Sequence, residues 1–93
     1  MKRIYFVLRG RVQGVGLRWS AWTLAQNLAL SGWIENKEDG SVNGEVQGSN
    51  ARVDDFMKVL KEGIGRAEIT AVQQESRQVM ENESSFEIRH EEK

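Results

Sequence analysis

Gly10-Arg11-Val12-Gln13-Gly14-Val15-Gly16-Leu17-Arg18 joins an extended apolar segment to the first amphipathic segment of the chain. The preceding residues, Ile4-Tyr5-Phe6-Val7-Leu8, place apolar side chains on both faces, which is typical of a central β-strand over residues 3–9. After the glycines, apolar residues recur with a helical period over residues 17–29. The glycine-rich segment therefore connects the end of a strand to the start of a helix.

This connection has the features of an anion site. Glycine tolerates positive φ, so successive backbone N–H groups in the loop can point toward one centre. The first helical turn adds free N–H donors and the positive end of the helix dipole, and Arg18 adds a guanidinium there. The alternative is a tight turn with Arg18 solvated. The loop is not a Walker P-loop, because no Gly-Lys-Ser/Thr closes it, and its glycines do not match G-x-G-x-x-G.

The same segment resembles the signature of the acylphosphatases, small hydrolases of carboxyl-phosphate anhydrides, whose pattern is G-x-V-Q-G-V-x-F-R. Leu17 stands where the family has phenylalanine, which predicts a looser loop and weaker activity. A second segment, Gly32-Trp33-Ile34-Glu35-Asn36 followed by Asp39-Gly40-Ser41-Val42, is similar to the family's G-W-V-x-N and D-G-x-V. Phe86-Glu87-Ile88-Arg89 is similar to its terminal F-x-I-R. The two signature segments cover the first half of the chain, and the second half matches in layout and in this last motif.

The composition limits the chemistry that is available. The length of 93 residues predicts one domain, 1–93, and a net charge of −1 provides no overall field for nucleic acid. There is no cysteine, and the one histidine, His90, is expected to be solvated near the end. These counts argue against disulfides, metal sites built from thiolates or histidines, and a Ser-His triad. No apolar run is long enough for a membrane span and no signal peptide opens the chain, so we expect a cytoplasmic location without membrane partners. We also expect a monomer.

The remaining pattern predicts βαββαβ followed by a short strand. Ser49 or Asn50 is expected to cap the second helix and Gly63 to end it. We expect strands at 32–38, 41–47, 67–75 and 86–89, a hairpin turn at 38–41, a polar loop at 80–85 and a solvated tail at 90–93. This order fits an α+β, ferredoxin-like sandwich, in which two helices cover one face of an antiparallel sheet of order 4-1-3-2, with the fifth strand at an edge.

Two details of the first helix stay open. Its core stripe is Leu17, Ala21, Leu24, Ala25 and Leu28, and Trp19 and Trp22 lie off that stripe. Trp19 either flanks the anion site or packs at a partly exposed position. The family has glycine where Ala29 stands, and a left-handed residue there costs a non-glycine about 1–2 kcal/mol. We therefore expect either that Ala29 ends the helix in another way or that the helix continues toward Gly32.

The predicted topology brings the two signature segments together. The first and second strands end at the same sheet edge, so the glycine loop and Asn36 are expected roughly 10 Å apart. Asn36 is otherwise a turn-capping residue. The resemblance implies that Asn36 orients the attacking water and that Arg18 holds the phosphate. The backbone N–H groups that share this role would be those of Gln13, Gly14, Val15, Gly16, Leu17 and Arg18 itself.

The expected reaction is hydrolysis of an acyl phosphate without metal or cofactor. Its leaving group is a carboxylate, whose conjugate acid has a pKa of about 4, so no general acid is needed. Inorganic phosphate or sulfate would compete for the same loop. One alternative is a non-catalytic phosphate-binding or regulatory ferredoxin-like module, and another is an acylphosphatase-like domain of a larger carbamoyl-transfer protein. RNA recognition is disfavoured, because the third strand carries no aromatic residue.

Overall fold

A computed structural model gives the structure of residues 1–90. Its elements in chain order are β1 (Lys2–Arg11), α1 (Leu17–Asn27), β2 (Ser31–Asn36), β3 (Val42–Gly48), α2 (Asn50–Glu62), β4 (Glu68–Arg77) and β5 (Phe86–Arg89). The sheet order is β4-β1-β3-β2-β5, which confirms the predicted ferredoxin-like α+β sandwich. His90, at the start of the predicted tail, is exposed, and residues 91–93 lie outside the described residues.

The four longer strands pair as expected from the pattern. β1 is central and runs antiparallel to both β3 and β4, and β2 runs antiparallel to β3. β5 lies at an edge of the sheet, as expected. Its neighbour is β2, with which it pairs in parallel, so the full sheet is mixed. Four residues of alternating pattern predict a strand without indicating its direction. Because β5 runs parallel to β2, Arg89 lies at the same end of the sheet as Asn36, the last residue of β2.

The core lies between the sheet and the two helices. The predicted buried stripe of α2 is confirmed, since Val53, Phe56, Met57 and Leu60 are all buried. In α1, three of the five predicted stripe residues are buried, and Leu24 and Leu28 pack against the core at partly buried positions. Burial of each large apolar side chain stabilises the fold by about 1.5–3 kcal/mol, so this core dominates the favourable free energy of folding.

Gly44 of β3 marks a point where the backbone is closely approached by other residues. A Cβ at Gly44 would lie 2.7 Å from the ring of Phe6 and 2.3 Å from the carbonyl oxygen of Trp33. The Phe6 ring uses this space and packs against Phe56, with ring centroids 6.1 Å apart. The missing side chain therefore lets an aromatic residue fill the centre of the core.

The end of α1 corrects the expectation for Ala29. The helix ends at Asn27, and Ala29 itself adopts the left-handed conformation with φ of 54°. Its N–H donates to the carbonyl of Gln26 (3.1 Å), and the N–H of Leu30 donates to that of Ala25 (2.9 Å). This is a Schellman motif with alanine at the usual glycine position, so the helix end carries local backbone strain.

The sheet face opposite the helices is covered at one end by the loop after β4. Arg3, 1% exposed, forms two hydrogen bonds with the carboxylate of Glu83 in that loop, at 2.6 and 3.1 Å. The Arg3 guanidinium also donates to Glu45 and Gln47 of β3. The Gln47 amide in turn bonds both backbone groups of Met80, at 2.7 and 2.8 Å. The loop predicted to be polar is thus attached to the sheet by a buried arginine.

Candidate active site

The glycine loop folds as the sequence predicts, with two residues in the left-handed region. Gly14 and Gly16 have φ of 74° and 76°, and Gly16 directly precedes α1. Within residues 1–90, no side chain caps this helix start, and its first turn has no acidic residue. The N–H donors and positive dipole end of α1 therefore remain available to an anion. Val12 and Val15, which are buried, anchor the loop in the core.

Arg18 and Asn36 line the same cleft, of about 230 Å³. The predicted convergence of the two segments is therefore observed. Arg18 is half-buried, and among the described residues its guanidinium makes no hydrogen bond or ion pair with another side chain. An arginine in a cleft without a carboxylate partner presents its fork of N–H donors to a ligand. The other residues that line the cleft are Val12, Gly14, Gly16, Leu17, Trp19, Ile88 and His90.

The predicted loop residues differ in their surroundings. Gly14, Gly16 and Leu17 line the cleft, whereas Gln13 and Val15 are not among the lining residues. Leu17 is 1% exposed, so it fills the core beneath the loop, where the resemblance placed a phenylalanine. The loop is therefore supported by an apolar side chain although that side chain is smaller.

Asn36 ends β2 with an unsatisfied amide oxygen. Its Oδ1 is buried and accepts no hydrogen bond from the described residues. The residue that caps the turn is Asp39 rather than Asn36. Its carboxylate accepts hydrogen bonds from the Oγ and N–H of Ser41, at 2.6 and 3.0 Å. These bonds, with a smaller contribution from Arg9, lower the pKa of Asp39 to about 2. Buried polar atoms are nearly always hydrogen-bonded. The Asn36 amide oxygen is therefore a candidate to accept a hydrogen bond from a molecule bound in the cleft.

The side chain of Gln13 connects the two halves of the site. Its Nε2 donates to the backbone carbonyls of Lys37, at 2.7 Å, and Ser41, at 2.9 Å. Lys37 directly follows Asn36, so one amide group holds the glycine loop against the hairpin that carries Asn36. Sequence reasoning missed this role, because both acceptors are backbone atoms far away in the chain and no local pattern indicates them.

Three further residues line the cleft. Ile88 and His90 lie outside the two signature segments, and Trp19 is the residue for which the sequence left two interpretations open. β5 pairs next to β2, and this places Ile88 and His90 in the cleft. His90 is exposed, as expected, but its place in the lining of this cleft was not predicted. Trp19 both flanks the cleft and stacks on Trp22, so the two interpretations of this residue hold together. The edge position of the fifth strand was the signal that could have found His90.

Within residues 1–90, the chain has no helix long and apolar enough to cross a membrane. The same residues contain no group of three or more His, Cys, Asp or Glu side chains arranged to hold a metal ion.

Comparison with known proteins agrees with this geometry. The family model for acylphosphatase matches residues 4–88. The chain is 36% identical over 88 residues to the acylphosphatase of Geobacillus kaustophilus strain HTA426, which covers 95% of this chain and 94% of that relative. It is 46% identical over 65 residues to the acylphosphatase of Leuconostoc mesenteroides, with 70% and 72% covered. The crystal structure of acylphosphatase from Bacillus subtilis matches with a TM-score of 0.89 at 28% identity, covering 95% and 98%. The chain therefore belongs to the acylphosphatase family.

Proposed function

We propose that the cleft between the glycine loop and Asn36 hydrolyses acyl phosphates to a carboxylate and inorganic phosphate. The chain is an enzyme of the acylphosphatase family. The observation that carries the assignment of the site is that Arg18 and Asn36 line one cleft beside an uncapped helix start. A cation, backbone donors and a positioned amide are the groups that this reaction requires.

The loop and Arg18 hold the phosphoryl group. The guanidinium of Arg18 gives two parallel N–H bonds to two phosphoryl oxygens, which a lysine cannot do. The transition state of phosphoryl transfer is loose, and its charge spreads over three equatorial oxygens. Donors fixed around those oxygens therefore stabilise it more than the ground state. The backbone N–H groups that contribute are those of Gln13, Gly14, Val15, Gly16, Leu17 and Arg18.

Asn36 orients the water for in-line attack on phosphorus. The water oxygen forms a new bond to phosphorus while the bond from phosphorus to the acyl oxygen breaks. The acyl oxygen leaves as a carboxylate, which needs no proton because its conjugate acid has a pKa of about 4. A phosphoryl oxygen of the substrate takes the proton of the water, so the protein supplies positioning and charge rather than a base.

The Gln13 side chain keeps the phosphate-binding loop and Asn36 at a fixed separation. The phosphoryl group sits on the glycine loop, whereas the water is held from β2, and the catalytic geometry depends on the distance between them. The two hydrogen bonds from the Gln13 amide to the hairpin carbonyls restrain that distance. Gln13 is therefore a positioning residue through its side chain as well as a phosphate ligand through its backbone.

The test is continuous hydrolysis of benzoyl phosphate, with and without EDTA. We expect turnover that EDTA leaves unchanged, competitive inhibition by phosphate and sulfate, and amide shifts in the loop when phosphate is titrated. Phosphate binding without turnover would favour the non-catalytic anion-binding module instead. Activity that EDTA removes and a divalent ion restores would contradict a metal-independent reaction. We also propose that the protein is cytoplasmic and monomeric. Its elution volume in size-exclusion chromatography checks the oligomeric state.

A further inference from the structure

We infer that Trp19 forms the binding surface for the acyl group and that the preferred substrates carry a planar, aromatic acyl group. This inference rests on the proposed function, because it concerns the part of the substrate that the phosphate loop does not hold. Trp19 is 64% exposed, an unusual state for the largest apolar side chain. It lies next to Arg18 in the first turn of α1 and lines the same cleft.

The Trp19 ring is held in place by a second tryptophan. Its indole stacks on that of Trp22, with ring centroids 5.1 Å apart and an angle of 18° between the planes. Trp22 is itself partly buried and packs against the core, so the pair stands on the body of the protein. A ring that is already ordered loses little rotamer freedom when a ligand stacks on it, and the binding free energy is not reduced by that cost.

The cleft is lined by both polar and apolar side chains. The polar ones are those of Arg18, Asn36 and His90, whereas those of Val12, Leu17 and Ile88 are apolar. An acyl phosphate has the same division, with an anionic phosphoryl group and an organic acyl group. When the phosphoryl group binds the loop, the acyl group is left to contact these apolar side chains and the exposed Trp19 ring.

The size of the effect follows from aromatic stacking. An aromatic pair contributes about 0.5–1.5 kcal/mol beyond the burial of its area, which corresponds to about 2- to 12-fold in kcat/KM. An acetyl group has no ring and gains little from Trp19. We therefore expect benzoyl phosphate to lose about 5-fold more kcat/KM than acetyl phosphate when Trp19 is truncated.

The experiment measures kcat/KM for benzoyl phosphate and acetyl phosphate in wild type, Trp19→Ala and Trp19→Phe. Comparing the two substrates in each protein cancels any general loss of folding or of catalytic geometry. We expect the preference for benzoyl phosphate to fall in Trp19→Ala and to be partly kept in Trp19→Phe. Met80→Ala, which truncates another exposed apolar residue away from the cleft, serves as the control and should leave the preference unchanged.

An equal loss on both substrates in Trp19→Ala would show that Trp19 only packs, and would overturn the inference. Inhibition or binding by phenylphosphonate and methylphosphonate gives the same comparison without turnover, with stronger binding of phenylphosphonate expected only when a ring is present at position 19. If wild type fails to turn over but shows that difference, the proposed function is wrong and the aromatic subsite stands. If neither ligand pair is distinguished in wild type, the subsite is wrong.

Discussion

Two arginines, Arg3 at the start of β1 and Arg18 at the start of α1, show two different uses of the same side chain. Arg3 is 1% exposed and pairs with two carboxylates, those of Glu45 and Glu83. Arg18 is half-buried in a cleft and, within residues 1–90, has no carboxylate partner. Arg3 and the glycine loop are separated by roughly 23 Å of extended strand. An arginine that the protein itself neutralises holds the fold together, whereas one left without a counter-ion is available to an anionic ligand.

Burial alone does not distinguish the two roles, but the partners do. Burial lowers the pKa of Arg3, yet its hydrogen bonds and charge pairing with Glu83 and Glu45 outweigh this and raise it. The guanidinium therefore stays charged in a dry environment. Each of its three nitrogens donates to a side chain of the protein, so the Arg3 guanidinium is engaged within the fold. Variants at the two arginines should consequently separate activity from stability.

The largest expected effect is on turnover at Arg18. Arg18→Ala should lower kcat/KM by ~10³–10⁵, by analogy with the arginine fingers of other phosphoryl-transfer enzymes. Arg18→Lys should be nearly as inactive, because an ammonium is a point charge and cannot give two parallel bonds to the phosphoryl oxygens. Urea midpoints of both variants should stay close to wild type, because Arg18 lies outside the buried stripe of α1.

Arg11→Ala is the matched control, since Arg11 is exposed at the start of the same loop. It removes an equal charge near the cleft, and kcat/KM should change by only a few fold. If Arg18→Lys keeps activity within about tenfold of wild type, charge alone suffices and the proposed fork geometry is wrong. If Arg11→Ala is as inactive as Arg18→Ala, the general field rather than a specific contact governs the rate.

The next effect concerns the water. Asn36→Ala should lower kcat by ~10²–10³, the usual consequence of losing one positioned hydrogen-bonding group, while the inhibition constant of phosphate changes little. Asn43→Ala provides the control, because Asn43 has the other unpaired buried amide oxygen but contacts Tyr5 on the opposite sheet face. Its kcat should remain near that of wild type. A parallel loss of phosphate affinity in Asn36→Ala would instead place Asn36 on the phosphoryl group.

Arg3 should show the reverse behaviour. Arg3→Met leaves the carboxylates of Glu45 and Glu83 without a cation and should destabilise the fold by about 3 kcal/mol, with kcat of the folded protein unchanged. Urea unfolding measures the first quantity and benzoyl phosphate turnover the second. Lys2→Met breaks the exposed pair with Asp54 next to it and should cost less than about 1 kcal/mol. Equal losses from the two variants would contradict a structural role for the buried arginine.

The pH dependence of stability sharpens the same test. Burial would raise the pKa of Glu83, but hydrogen bonds from Arg3 and Ser31 and the charge of Arg3 lower it below its ordinary 4.5. A lowered native pKa stabilises the fold fully above pH 4.5, and this contribution is lost as the pH falls through the native value. Unfolding of wild type should therefore become easier below pH 4.5, and Arg3→Met should show a shallower loss over that range.

Local patterns predicted the elements, the sheet order and the meeting of Arg18 with Asn36, because periodicity and strand topology determine them. They did not predict the bonds from Gln13 to the hairpin or the pair between Arg3 and Glu83. Both are contacts between residues far apart in the chain, and nothing in either local segment indicates its partner. The left-handed Ala29 was missed for another reason, since tertiary structure there overrides the preference of alanine.

The smallest expected effect is a gain in stability at the end of α1 away from the cleft. Ala29→Gly removes the cost of a left-handed alanine, about 1–2 kcal/mol, but glycine also gives the unfolded chain more freedom, which offsets part of the gain. We expect a net stabilisation of about 0.5–1 kcal/mol, or roughly 2–8 °C in Tm for a domain of this size. Turnover should not change, because Ala29 lies at the other end of α1 from Arg18.

The control also introduces a glycine, three residues earlier in the chain. Gln26 is exposed and helical, so Gln26→Gly should destabilise the protein by about 0.5–1 kcal/mol. Introducing a glycine is therefore expected to change stability with opposite signs at two exposed positions, and thermal unfolding of both variants decides it. If Ala29→Gly lowers Tm as Gln26→Gly does, the left-handed backbone of Ala29 is not strained and alanine is well accommodated there. If Ala29→Gly raises Tm and leaves kcat unchanged, stability can be altered at this end of α1 without affecting activity. The comparison of Arg3 with Arg18 indicates the same separation.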